Sequence, residues 1–185
     1  QGKESAARIV HTCVSIAFLT LGSIGVLFII AAPKIVPLLA PGFSVSQQEL
    51  TITLTRIMML SPLLLGVSAV LGGVLQSLKH FFAFSLAPIT YNLGIIIGAT
   101  VFYPLFGISG LAWGVVLGAA AHCATQFIAV SRADIRLKWS LTITPEVRRI
   151  GQLMIPRTIG LAVSQMNALF LTSIASTLAV GSIAV

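Results

Sequence analysis

Arg157, Ser164, Gln165, Asn167 and Thr172 stand in a run, IPRTIGLAVSQMNALFLTSIAS, that is otherwise the sequence of a membrane helix. At about 100° per residue, all of them fall within about 80° of Arg157 on a helix, and Thr158 and Ser176 flank them. The other half of the wheel carries Ile159, Val163, Met166, Leu169, Phe170 and Ile174, with Ser173 and Thr177 as lesser exceptions. One polar residue in such a run is an accident of packing. A polar face sustained over about four turns implies a wet cavity or polar partners on that side.

The chemistry such a face offers is recognition of an anion. A guanidinium presents a planar fork of donors suited to phosphate or carboxylate. A charge at the middle of a bilayer costs from about 2.5 to above 10 kcal/mol, so Arg157 needs water or an anion near it. Two readings stand: the side chain snorkels to the headgroups, or it contacts a phosphate-bearing substrate.

No catalytic constellation accompanies it. The four acidic residues, Glu4, Glu49, Asp134 and Glu146, lie outside the apolar runs, so no carboxylate pair is placed for acid–base work. There is no phosphate-binding loop, no nucleophile elbow and no metal-ligand cluster. The sequence therefore predicts no enzyme, no metal and no cofactor. Cys13 and Cys123 read as small buried hydrophobes. Their neighbours His11 and His122 point away from them on a helix, so neither pair shares a metal.

These residues must be held by helices in lipid. The chain has 185 residues, 57% of them hydrophobic and only 8% charged, with a mean hydropathy of +1.04. A soluble domain carries about a quarter of its residues charged, so the class is integral membrane protein, all-α and polytopic. Five stretches are long enough to span: 6–32, 50–78, 82–103, 108–130, and 145 to beyond 176. Pro33, Pro37 and Pro41-Gly42 predict that the first helix stops near Ala32 and that KIVPLLAPGF is a short interfacial piece. Lys79-His80 ends the second stretch, and Pro104 to Gly107 reads as a tight turn. Thr144-Pro145 starts the last stretch, with a capping hydroxyl and then proline at the first helical position.

Charge sets the orientation. The net charge of +7 suggests nucleic acid in a soluble protein, but here there is no basic–aromatic interleaving on which bases would stack. The basic residues collect on alternate connections instead. Lys3 and Arg8 precede the first stretch, and Lys79 follows the second. Arg132, Arg136, Lys138, Arg148 and Arg149 join the fourth to the fifth. Only Lys34, with Arg56 just inside the second stretch, lies on the other side. That pattern predicts a cytoplasmic N-terminus. The polar opening and the apolar end of the chain read as those of a piece of a longer protein.

Inside the stretches, two further signals stand out. Gly94 and Gly98, Gly110, Gly114 and Gly118, and Ala69 and Gly73 recur every four residues, the spacing that lets helix backbones approach in lipid. Pro62, Pro88 and Pro156 predict kinks, freeing the carbonyls of Met58, Phe84 and Gln152. Asn92, one turn after Pro88, reads as a hydrogen bond across helices or as part of a polar path.

Several segments carry a family resemblance: LLAPGFS, SPLLLGVSAVLGGVLQSLKHFFAFSLAPITYNLGII, and IPRTIGLAVSQMNALFLTSIASTLAVGSIA. They resemble the MurJ/MviN lipid II flippases of the multidrug/oligosaccharidyl-lipid/polysaccharide exporter superfamily, along essentially the whole chain. The resemblance implies a parent of about fourteen helices in two lobes around a cavity. Residues 1–130 would be four helices of the first lobe. Residues 131–149 would be the basic cytoplasmic linker and the start of the next helix, and 150–185 the first helix of the second lobe.

It further implies transport of an undecaprenyl-linked peptidoglycan precursor across the bacterial inner membrane, coupled to ions or to membrane potential. Arg157, Gln165 and Asn167 match the family motif and would line the cavity. The family's main cavity arginines belong to helices outside this chain. In some members a sodium-linked carboxylate precedes a threonine on the seventh helix; here Leu171 precedes Thr172, which counts against a sodium site of that kind. Two other readings remain: a polysaccharide or drug exporter of the same superfamily, and a non-transporting membrane scaffold that recruits cell-wall enzymes.

Overall fold

The computed structural model describes residues 2–133 and 138–175, and in these there are helices and connections but no strand. Seven α-helices follow one another: α1 Gly2–Leu39, α2 Val45–Met58, α3 Leu60–Ser77, α4 Phe81–Ile97, α5 Tyr103–Phe106, α6 Ile108–Arg132 and α7 Pro145–Ala175, with a π-helical turn at Gly98–Phe102 between α4 and α5. Among the described residues, four continuous spans are long and apolar enough to cross a membrane: Ala7–Leu39, Val45–Ser77, Phe81–Phe106 and Ile108–Arg132. The fifth stretch is helical as α7, but its described residues, with the arginines and the polar face, are not among those four spans. Many large apolar side chains are exposed, among them Leu27, Ile30, Leu38 and Phe82. Among the described residues the buried apolar cluster is small, Leu71, Leu75 and Val130, with Val14, Val67, Val74, Ala83 and Ala129 against it, and most other buried apolar residues are alanines and valines. A thin core inside an apolar exterior is how a bundle solvated by lipid is built.

The first helix does not stop near Ala32. It runs through Pro33 and Pro37 to Leu39, and the chain turns only at Pro41-Gly42. Proline at position 33 cannot donate to the carbonyl of Ile29, four residues back. The Nε–H of Arg56, on the neighbouring α2, donates to that oxygen at 3.2 Å. An arginine in the last turn of α2 thus satisfies a carbonyl that a proline has freed.

The second span starts earlier than its apolar run. Ser44 and Gln47 form a reciprocal capping box: Ser44 N–H donates to Gln47 Oε1 at 2.8 Å, and Gln47 N–H to Ser44 Oγ at 3.4 Å. The motif S-x-x-Q is visible in the sequence and sets the start at Val45. The span breaks at Met59, between α2 and α3, beside the carbonyl that Pro62 leaves without its donor. It ends in a Schellman turn, with His80 N–H on Leu75 O at 2.8 Å and Lys79 N–H on Gln76 O at 3.0 Å. Lys79 occupies the left-handed position at φ 61°, where glycine is the usual residue.

The third connection also departs from the sequence reading. Pro104 is not part of a tight turn but lies in the first turn of α5, and the chain reverses at Gly107 alone, at φ 61° and ψ −144°. The π turn just before it carries Tyr103 N–H to Gly98 O, five residues back. After α6 the chain returns to α1. Thr12 Oγ1 donates to Thr142 O at 3.2 Å, Ser140 N–H to Ser15 Oγ at 3.2 Å, and Phe18 packs edge-on against Trp139 at 5.9 Å. Thr144 then caps α7: its carbonyl accepts from Arg148 N–H at 3.0 Å and its hydroxyl from Val147 N–H at 3.4 Å. Among the described residues α7 touches α1 alone of the helices.

Candidate functional site

The candidate residues fall in two places of opposite character. On α7, Arg157, Ser164, Gln165, Asn167 and Thr172 are all exposed. Thr172 Oγ1 donates to Ala168 O in its own helix at 2.9 Å. Pro156 is exposed one position before Arg157. Leu171, Leu169 and Phe170 are exposed as well, so α7 presents both of its faces, and no described helix covers the polar one. Ser176 and Thr177 lie outside the described residues.

Asn92 is not brought to this face. It sits on α4, which does not touch α7, and it makes no bond to another helix. Its Nδ2 donates to Pro88 O at 2.8 Å, within α4. The reading of Asn92 as a link across helices is therefore corrected: the side chain turns back along the helix, next to the proline that interrupts the backbone ladder.

The glycines are the other place. Gly94, Gly98, Gly110, Gly114 and Gly118 are all buried. A Cβ on Gly94 would collide with the backbone of Gly118, and one on Gly98 would stand 2.5 Å from Gly114 Cα. A Cβ on Gly110 would strike the Phe102 carbonyl in the π turn, and one on Gly118 the Tyr91 carbonyl. Helices α4 and α6 therefore meet backbone on backbone. The Ala69–Gly73 pair does not behave alike. Both residues are exposed and nothing lies within 4 Å of a Cβ on Gly73. It is Gly72 that faces inward on α3, against Gln126 and Phe84. The four-residue spacing alone does not say which side of α3 packs.

Beside this seam lies a polar set that the sequence reading left out. Ser68 Oγ and His122 Nδ1 are 2.7 Å apart, Tyr91 stands edge-on to the His122 ring at 6.4 Å, and the Thr90 and Thr125 hydroxyls are 3.3 Å apart. Gln126 is 2% exposed, and its Oε1 has no hydrogen-bond partner among the described residues. The signal was the spacing of His122, Thr125 and Gln126 on α6, positions i, i+3 and i+4 of one face. Cys13 and Cys123 are free and partly buried. Among the described residues no three His, Cys, Asp or Glu side chains gather to hold a metal.

Comparison with known proteins bears on the whole of this arrangement. The sequence matches the family described as "Lipid II flippase MurJ" over residues 1–185. The chain belongs to the lipid II flippase MurJ family. It is 31% identical to a probable lipid II flippase MurJ of Rhizobium tropici over 95% of this chain and 34% of that protein. It is 30% identical to the one of Rhizobium meliloti, again over 95% and 34%. It is 26% identical to the lipid II flippase MurJ of Burkholderia cenocepacia, over 99% of this chain and 37% of that protein. The chain thus spans about a third of the length of these MurJ relatives. Membership in the MurJ family and four apolar spans make it a multi-pass membrane protein.

Proposed function

We propose that the chain is part of a lipid II flippase of the bacterial inner membrane, with residues 1–130 in one lobe, 131–149 in a cytoplasmic linker and 150–185 opening the second lobe. The polar face of α7 lines the path of the undecaprenyl-linked substrate. The observation that carries this is the exposed ladder Arg157, Ser164, Gln165, Asn167 and Thr172 on a helix that no described helix covers on that side. In lipid such a face is costly, so in the membrane it lies against water or substrate. Arg157 contacts the phosphate-bearing part of the substrate. The basic linker lies on the cytoplasmic side, which makes the N-terminal side of α1 cytoplasmic too. Alternating access of the two lobes moves the lipid, driven by ions or membrane potential and not by catalysis on this chain. Asn92, exposed on α4, lies apart from this face.

Depletion–rescue of the full-length protein tests this. Arg157→Ala should cost about ten-fold or more in flipping rate, since a hydrogen bond to a charged group contributes about 1.5–3 kcal/mol. Arg157→Lys should retain part of it. Equal activity of both variants with the parent would remove the anion contact. Full rescue by Gln165→Leu together with Arg157→Leu would favour a scaffold that does not transport.

A further inference from the structure

The molecule has a second place suited to an anion, far from α7. Between the start of α4 and the end of α6 lies an open cavity of about 490 Å³, lined by His80, Phe82, Leu86, Thr125, Ile128 and Arg132 together with two alanines. That volume is in the range of small-ligand sites. Its lining is graded. Arg132 and His80 stand at the end where α6 finishes and the α3–α4 turn passes, and Lys79 is the next residue along that turn. Phe82, Leu86 and Ile128 continue it toward the apolar length of the helices. Among the described residues no carboxylate lines it. His80, Phe82, Ile128 and Arg132 are exposed, so the cavity opens sideways on the bundle.

We propose that this cavity seats the headgroup of an anionic phospholipid of the surrounding bilayer, with phosphate at Arg132 and His80 and the acyl chains along Phe82, Leu86 and Ile128. The grading of the lining selects this occupant. A soluble anion gains nothing from an apolar wall, and a neutral lipid gains nothing from an uncompensated arginine. Basic recesses between membrane helices on the basic side of a protein are where acidic headgroups dock. Such a site requires only that the chain spans a membrane, not that the protein flips a particular lipid.

The test is lipid retention, measured apart from transport. The full-length protein is purified from bilayers of mixed phosphatidylglycerol and phosphatidylcholine, and the retained lipids are weighed by mass spectrometry. The parent protein should retain phosphatidylglycerol preferentially. Arg132→Glu should lower that retention by about five-fold or more, one basic charge being lost and an acidic one gained. Phe82→Ala, at an exposed position that leaves the fold intact, should lower it with no change of charge. Unchanged retention in both variants would overturn the proposal. Displacement of the lipid by inorganic phosphate alone would make this a simple anion site, and displacement only by the undecaprenyl-linked substrate would make it a substrate subsite; either would overturn the phospholipid as occupant.

Discussion

The α4–α6 seam and α7 are both membrane-type helices interrupted by polar or small residues, yet they use the interruption oppositely. In the seam, Gly94, Gly98, Gly114 and Gly118 remove side chains so that two backbones meet. On α7, Arg157, Gln165 and Asn167 add polar groups that meet nothing among the described helices. Lipid gives helices no hydrophobic reason to associate, so close packing must come from shape. It also penalises exposed polarity, so a polar face marks where lipid is absent. The seam is built for close contact, whereas the polar face of α7 is left uncovered by every described helix.

The largest effect should come from filling the seam. Gly94→Leu or Gly114→Leu forces a side chain into a neighbouring backbone and should destabilise by about 3 kcal/mol or more, read as a lowered melting temperature of the full-length protein in detergent. On α7 the same measurement should show the reverse asymmetry. Arg157→Ala should change stability by less than about 0.5 kcal/mol, as for other exposed positions, while flipping falls. A large loss of stability there would mean that Arg157 is structural and would undo the contrast.

Smaller effects sharpen it. Ser68→Ala leaves His122 Nδ1 without its partner at 2.7 Å and should cost about 0.6 to 1.7 kcal/mol, the range for hydrogen bonds between membrane helices. Gly73→Leu, facing open space, should change stability by less than about 0.5 kcal/mol, and a cost like that of Gly94→Leu would show that spacing alone matters. The smallest effect is at the start of α7. The Thr144 side chain and the Glu146 backbone hold the Glu146 carboxyl below its usual range. A depressed carboxylate stabilises the folded form above its unfolded pKa, and that contribution is lost as pH falls through the folded one. The protection of the first-turn amides of α7, measured relative to intrinsic exchange, should therefore fall in acid, and Glu146→Gln should remove that fall.

Much of the fold was legible because lipid makes the rules strict. Length and hydropathy located four of the five expected spans, and Thr144-Pro145 located the start of α7 from two residue types alone. The misreadings have one physical source. Pro33 reads as a stop because its missing N–H and its ring work against the helix, and only the tertiary structure shows Arg56 Nε–H supplying a donor to the freed Ile29 O. Asn92 reads as a bridge because its chemistry permits one, and only its rotamer, turned to Pro88 O, decides otherwise. Ala69 and Gly73 share the spacing of the true seam but lie on the outer side of α3.

By itself the sequence determined that this is a membrane protein of the family its motifs resemble, roughly where its helices lie, and which face of α7 is polar. Those properties are local: they follow from side-chain type and helical period. Tertiary structure decided which glycines touch, where freed carbonyls find donors, that Ser68 meets His122, and that Arg132 and His80 border one cavity. These depend on how separate helices cross, and a period read along one helix carries no information about the partner it will meet.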